Sequence, residues 1–495
     1  MDIEKEYSCL ERNHQVYRRC VDNDEDYQET LPQYCDDIYR VIKCMSNSFI
    51  TSVDVNYNEI KIIGKTEICL TYLNEASNLC YADFEEEFTK NINIEGLSDS
   101  AFPVTDINNK YTNFRVINQR RIDIHASSAI NIRVFDNSKC PCIKSCADSK
   151  LRIETVEMAN VISSNICRAE FDDEMSIPAD SKPIKRIISS ASFVTLNETK
   201  IIKDKVLIKA TVSVEVLYTA DEQAETLMKC QSSFAVSKII DVPGLCEKDS
   251  AVAQLSIGNI FFKAKSSGDK LSVIEVYGDV SISTVFIRNQ EIKMVTDGYI
   301  LNRKSNCSFT DFNMCKNGRF INDSKMQNVQ LDFSNDITEI KQLSIDVSNP
   351  VVRGGKLTSK ISALAICVNN SGELCSFASS NDFEIDTQEC DEALASISVQ
   401  SYDYTLEQGG KLNIRLSLGI YAYTYSNAAA RVLSEIDADD EVISYPALTV
   451  YFGKKSESVW NIAKSFSSDI DLITRENDLS ADVLENNKIL IIPGI

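Results

Sequence analysis

Histidine is nearly absent from this chain of 495 residues, with 2 in all, His14 and His125. They stand far apart, and neither belongs to an H-E-x-x-H arrangement or has a second histidine beside it, so a histidine-built metal or acid–base centre is not expected. His125 falls inside a strand-like run and reads as a residue on a strand face. The G-x-S-x-G nucleophile elbow, the phosphate loop and the G-x-G-x-x-G dinucleotide fingerprint are all missing. The Gly354-Gly355 and Gly409-Gly410 pairs each precede Lys-Leu, the setting of a hairpin turn rather than of a phosphate cradle. Basic residues are outnumbered, Lys+Arg 51 against Asp+Glu 73, for a net charge of −22. That argues against nucleic acid and anionic membranes, which need basic patches. No stretch of about 18 apolar residues occurs, so no membrane-spanning helix is expected. The run Met1-Asp2-Ile3-Glu4-Lys5-Glu6 has neither a basic nor an apolar region, and a secretory signal is not expected either. Tryptophan occurs once, as Trp460.

The material that is present is globular, 43% hydrophobic and 25% charged. At roughly 100–200 residues per domain the length suggests three or four units. There are 17 cysteines, an odd number, and without a signal they read as reduced thiols rather than a disulfide framework. One cluster stands out, Cys140-Pro-Cys142 with Cys146. It offers three thiolates to zinc or an iron–sulfur cluster, but the spacing is C-x-C and a fourth ligand must come from elsewhere. Oxidative cross-linking and a plain reduced linker are the other readings, and neither metal nor cofactor is expected. Cys69 and Cys367 fall on strand-like runs and read as small apolar packers. The acidic runs Glu85-Glu86-Glu87 and Asp437 to Glu441 read as solvated faces.

Two landmarks recur. Glu59–Tyr72, Lys205–Tyr218 and Lys356–Asn369 are runs of equal length with alternating apolar residues, the first two ending in tyrosine. A second set begins at Arg121, Lys270 and Lys411. Within each set the starts lie about 150 residues apart, a domain-sized period far above that of a solenoid. Between landmarks lie shorter apolar runs with acidic residues, such as Phe84–Phe88 leading to Ile92–Gly96. Alternation dominates and helical periodicity is scarce, so each unit reads as antiparallel β. The expected divisions are 7–137, 150–289 and 300–427, with a polar link at 137–150, an acidic linker at 434–446 and a last unit at 447–495.

That last unit opens with an apolar-alternating run (Val450, Phe452). Ser456 or Ser458 is placed to cap a helix through Trp460, Ile462, Ala463 and Phe466. Ser467-Ser468 interrupts, a second helix starts near Asp469, and Lys488–Ile492 closes as a strand before Pro493-Gly494. Tyr451, Glu457-Ser458-Val459-Trp460, Ile462-Ala463-Lys464, Asn477, Leu479 and Ile489 to Pro493 fit the order and spacing of a LysM domain, which this stretch resembles.

A second resemblance covers most of the chain. Pro183-Ile184 with Ile187-Ile188, Val206–Tyr218, Phe234 through Ile240-Asp241-Val242-Pro243-Gly244 and Val273–Val280 resemble the SPOCS domain of spore-coat assembly proteins. Asp36-Asp37-Ile38 with Val41-Ile42, Ile60–Tyr72 and Ile92–Gly96 carry the same likeness in the first unit. The third departs, with Asn369 where the others have tyrosine and no Val-Pro-Gly turn. The resemblances imply a mainly β fold: tandem antiparallel β-sandwich or barrel-like domains followed by a small α+β (βααβ) LysM-like domain.

They also imply a non-enzymatic coat adaptor. It would act in the mother-cell cytoplasm at the forespore surface and later in the spore coat, with the coat-scaffold morphogenetic ATPase and other coat proteins as partners. Peptidoglycan is the alternative ligand. In either case the LysM loops would be the contact: Ser456, Glu457, Ser458, Val459 and Trp460 from the first, Leu484, Glu485, Asn486 and Asn487 from the second. The LysM family has glycine in the first loop and Pro-Gly-Gln in the second, where the backbone must approach a sugar. Asn486 tolerates a left-handed backbone, and Ser456 does so less easily.

Overall fold

The computed structural model describes residues 4–178, 181–220, 226–267, 270–332, 337–385, 390–407, 410–443 and 446–494. Gly409 of the second Gly-Gly pair lies outside them; Gly354 and Gly355 both have positive φ, 57° and 82°, in the turn before Lys356.

Residues 5–146 supply β1 (Lys5–Thr30), β2 (Arg40–Asn56), β3 (Glu59–Leu73), β4 (Leu79–Asn93), β5 (Phe102–Asn118) and β6 (Arg121–Cys146). They form two antiparallel sheets, β1-β6-β5 and β2-β3-β4, which face each other across Ile68, Leu70 and Tyr72 on one side and Ile122, Ile124 and Ala126 on the other. The next set is β7 (Ser149–Ser176), β8 (Ile184–Ile202), β9 (Lys205–Ala220), β10 (Leu227–Asp241), β11 (Ser250–Ser267) and β12 (Lys270–Ile300). The third is β13 (Arg303–Asp332), β14 (Ile337–Val347), β15 (Val351–Arg353), β16 (Lys356–Asn369), β17 (Leu374–Ile385), β18 (Glu392–Glu407) and β19 (Lys411–Val442). Sheet order follows the same rule in each set. The long first strand pairs with the long last strand, which pairs with the strand before it. The middle strands form a second sheet around β9 or β16. A single residue pair, Cys315↔Ala159, joins β13 to β7, so the larger sheets of the second and third sets run on as β11-β12-β7-β13-β19-β18.

The landmark runs are legible because they are the central strands. On β9, Val206, Ile208, Ala210, Val212, Val214 and Val216 all lie at 3% exposure or less, while Lys205 and Lys209 point out. A strand paired on both edges with one face on a core must alternate with period two. Each buried Val or Ile contributes about 1.5–3 kcal/mol. The loops after β4 and β10 turn alike, on Gly96 (φ 78°) and Gly244 (φ 84°), and Asp204 accepts a bond from the Gly244 amide at 2.8 Å.

Two expected linkers are strand instead. Asn137–Cys146 continues β6, paired with β1 through a register shift at Lys144, and Cys140 and Cys142 sit in an apolar cluster with Met158, Met294, Phe312 and Met314. Residues on alternate positions of a strand share a face, which puts both thiols inside, and among the described residues no group of three His, Cys, Asp or Glu is gathered to hold a metal. The acidic stretch from Ser434 is the end of β19 as far as Val442; Leu433 and Ile436 are fully buried, and Ile436 pairs with Cys307. Charge density on the outward face hid the inward one. The second set likewise runs past 289 to Ile300.

Close approach is tightest at Gly64 in β3. A Cβ there would run into the Phe88 ring and sit 2.7 Å from the Phe49 carbonyl oxygen. Because the backbone oxygen cannot move aside cheaply, Gly64→Ala is expected to destabilise the protein by about 1–2 kcal/mol. Both groups belong to the strands that flank β3 in its own sheet. Thermal unfolding checks this, and an unchanged midpoint would show that the Phe88 ring and the β2 backbone shift to make room.

Candidate functional site

The C-terminal residues form β20 (Leu448–Gly453), α1 (Val459–Ser465), α2 (Ile470–Glu476) and β21 (Lys488–Pro493), with β20 and β21 paired antiparallel. Seven-residue helices are marginal in water. These two are held by a core of Val459, Trp460, Ile462, Ala463, Ile473, Leu490 and Ile492. Asp469 caps α2 through the Asp471 amide at 2.9 Å, whereas Ser458, at the start of α1, makes no side-chain cap and its hydroxyl is buried without a partner.

The two loops named from the sequence meet at one end of this unit. The Ser456 amide donates to the Leu484 carbonyl at 2.8 Å, the Leu484 amide to Glu457 at 3.0 Å, and the Val459 amide to Asp482 at 2.9 Å. Asn487 accepts from the Lys455 amide at 2.8 Å. Glu457 accepts from the Lys454 amide at 2.9 Å and the Tyr451 hydroxyl at 2.7 Å, and these bonds hold its carboxyl below the usual range. Ser456 takes φ +67°, the conformation for which glycine is favoured. Glu485, Asn486 and Asn487 are exposed.

Val459, Trp460 and Leu484 are different: they are turned inward, at 1%, 6% and 4% exposure. The Trp460 indole N–H donates to Asp297 Oδ2 at 2.8 Å, and its ring stands edge-on to Tyr299, 5.2 Å between centroids. Lys464 reaches the other Asp297 oxygen at 2.5 Å. Burial raises the Asp297 pKa, but the bonds from Lys464 and Trp460 outweigh it and hold the carboxyl below its ordinary value. The Tyr299 hydroxyl donates to the Ser468 carbonyl at 2.9 Å, the Asn302 amide to Ser467, and Lys150 pairs with Asp469 and Asp471. The unit is thus seated, by its α1 face, on the turn between β12 and β13. Asp297 and Tyr299 carry no signal in the sequence, because nothing local distinguishes them from other strand residues.

The opposite face was also missed. Tyr451 packs edge-on to Phe466 and points to the helices, so the alternation of β20 runs the other way and its apolar members face out. Cross-strand partners Val450↔Ile491 and Phe452↔Ile489 lie side by side with Leu448, and Phe452 and Ile489 are 71% and 60% exposed. Lys454 and Lys455 stand exposed at the Phe452 end, on a chain that is acidic elsewhere. Contiguous exposed apolar faces are uncommon on monomeric proteins.

Residues 183–265, which comprise β8, β9, β10 and most of β11, match the family model described as SipL, SPOCS domain. That domain family is adaptor-type and implies a role in sporulation and the spore coat. No curated protein and no solved structure matches the chain.

Proposed function

We propose that this protein is a non-enzymatic adaptor of spore-coat assembly, built of three SPOCS-like units and a LysM-like C-terminal unit. The C-terminal unit binds the coat-scaffold morphogenetic ATPase at the forespore surface, on the mother-cell side, and the β-units brace other coat proteins. The observation that carries this reading is the outward apolar face of Leu448, Val450, Phe452, Ile489 and Ile491 beside Lys454 and Lys455. Their side chains leave the unit's core untouched, so they are available to a protein partner.

The test uses the full chain. Phe452→Ser and Ile489→Ser are each expected to weaken retention on the immobilised, purified ATPase at least about tenfold, or 1.4 kcal/mol, without changing the unfolding midpoint. Retention unaffected by both substitutions would overturn this placement of the contact. One observation favours a second reading, sugar binding at the paired loops: Ser456 keeps the left-handed backbone for which glycine is favoured, at the loop where the LysM family carries glycine. On that reading the full chain sediments with insoluble peptidoglycan, Asn486→Ala releases it, and the ATPase is not retained.

A further inference from the structure

The second and third sets of strands enclose a cleft of about 600 Å³, within the range of ligand sites. Its floor is the outer face of β8, β9 and β10, where Phe193, Glu215 and Ser233 stand. Its opposite wall is made by two edge strands, β14 at Leu343–Ile345 and β18 at Gln400–Tyr404. Comparison with the first set shows why it is open. There the matching edge strands are stitched together: Thr112 of β5 accepts from the Ser46 amide of β2 at 3.0 Å, and Asn109 from the Ser48 amide at 2.9 Å. Ser46 pairs with Ile68 in β3 as Leu343 pairs with Ala365 in β16, and Thr112 pairs with Ala126 in β6 as Tyr402 pairs with Leu416 in β19. So a tyrosine occupies the place of a threonine. Its hydroxyl reaches the Leu343 carbonyl at 3.0 Å across the length of a ring, and the edges stand apart.

The cleft has a charge preference. Glu215, at 9% exposure, accepts from Gln231 at 2.5 Å and lies 3.5 Å from Lys229 at the rim. Asp403 adds a second carboxylate, and Phe193 and Tyr402 pack against each other with centroids 5.8 Å apart beside it. Carboxylates next to ring faces suit a guanidinium or ammonium group, and free strand edges suit an extended main chain.

We propose that this cleft binds a basic, extended peptide segment of a partner protein, with an arginine or lysine side chain replacing Lys229 at Glu215 and the peptide backbone running along the edge of β18. The experiment measures binding of a fluorescein-labelled Thr-Val-Arg-Val-Thr peptide to the full-length protein by anisotropy. The same peptide with glutamate for arginine and an N-acetylglucosamine tetramer serve as comparisons. The arginine peptide is expected to bind at least tenfold tighter than the glutamate peptide. Ser233→Trp, which fills the exposed floor, is expected to weaken it at least tenfold with the unfolding midpoint unchanged, and Asp403→Lys takes its place if the midpoint falls. Equal binding of both peptides overturns the proposal, as does displacement by the sugar tetramer, indifference to the cleft substitutions, or no binding up to millimolar peptide.

Discussion

Trp460→Ala is expected to unseat the C-terminal unit, at a cost of about 3–5 kcal/mol, the range for deleting a buried aromatic. Three losses combine in it. The indole leaves a gap in the core shared by Tyr299, Ile462 and Leu490, the edge-on contact with Tyr299 goes, and Asp297 is left with Lys464 and the Gly298 amide as its donors among the described residues. Limited proteolysis of the C-terminal unit should accelerate, while the preceding sheets keep their unfolding transition. Asp297→Ala provides a second readout. Because Trp460 is the single tryptophan, its emission reports its surroundings directly, and losing the acceptor on a solvent-facing rim should shift emission to the red. The pH dependence has a definite sign. The folded-state pKa of Asp297 is below its unfolded value, so its contribution is complete above the unfolded value and disappears as pH falls through the folded one. Unchanged proteolysis and emission in both variants would mean that the seat is held by Lys150 and the Ser467–Ser468 turn alone.

Lys43→Met is expected to raise stability, by about 2–3 kcal/mol at neutral pH. Lys43 lies on β2 at 3% exposure, where all three sets of strands meet. Its ammonium reaches the Ser344 hydroxyl of β14 at 3.1 Å, the Ser189 hydroxyl of β8 at 3.4 Å and the Ser190 carbonyl at 3.5 Å. These are neutral oxygens at long range; burial outweighs the pull of Cys69 and Glu215 and pushes its pKa down from 10.5 to about 8. Between those two values the unfolded chain binds more protons than the folded one, so the stability of the protein rises with pH across that window. Below it both states carry the charge, and the whole cost of burying it remains. Methionine keeps the length of the side chain and removes that cost, and Ser189 still has Gln342 as a partner at 2.7 Å. Thermal unfolding at pH 7 and pH 9.5 separates the contributions. The lysine protein should gain stability between the two and the methionine protein should not. A lower midpoint for Lys43→Met at pH 7 would show that the three hydrogen bonds outweigh the desolvation.

The alternating runs at Glu59, Lys205 and Lys356 were readable because a central strand's faces are fixed by its own sequence. Every second side chain meets the core whatever the neighbouring strands are, so the mainly β character and the strand starts at Arg121, Lys270 and Lys411 needed no tertiary information. Composition was less informative at strand ends. Asn137–Cys146 and Ser434–Val442 look polar or acidic because half of each strand is solvated, and only their pairing with β1 and β13 marks them as sheet. The loops at Ser456–Ser458 and Leu484–Asn487 were named through the resemblance to the LysM family, and they meet because they close one small unit. What tertiary structure alone decided is which way residues face: Trp460 inward onto Asp297 and Tyr299, Phe452 and Ile489 outward, and Tyr402 across the gap to β14. Those outcomes depend on partners distant along the chain, and periodicity, which is set by a strand's or helix's own geometry, carries no record of them.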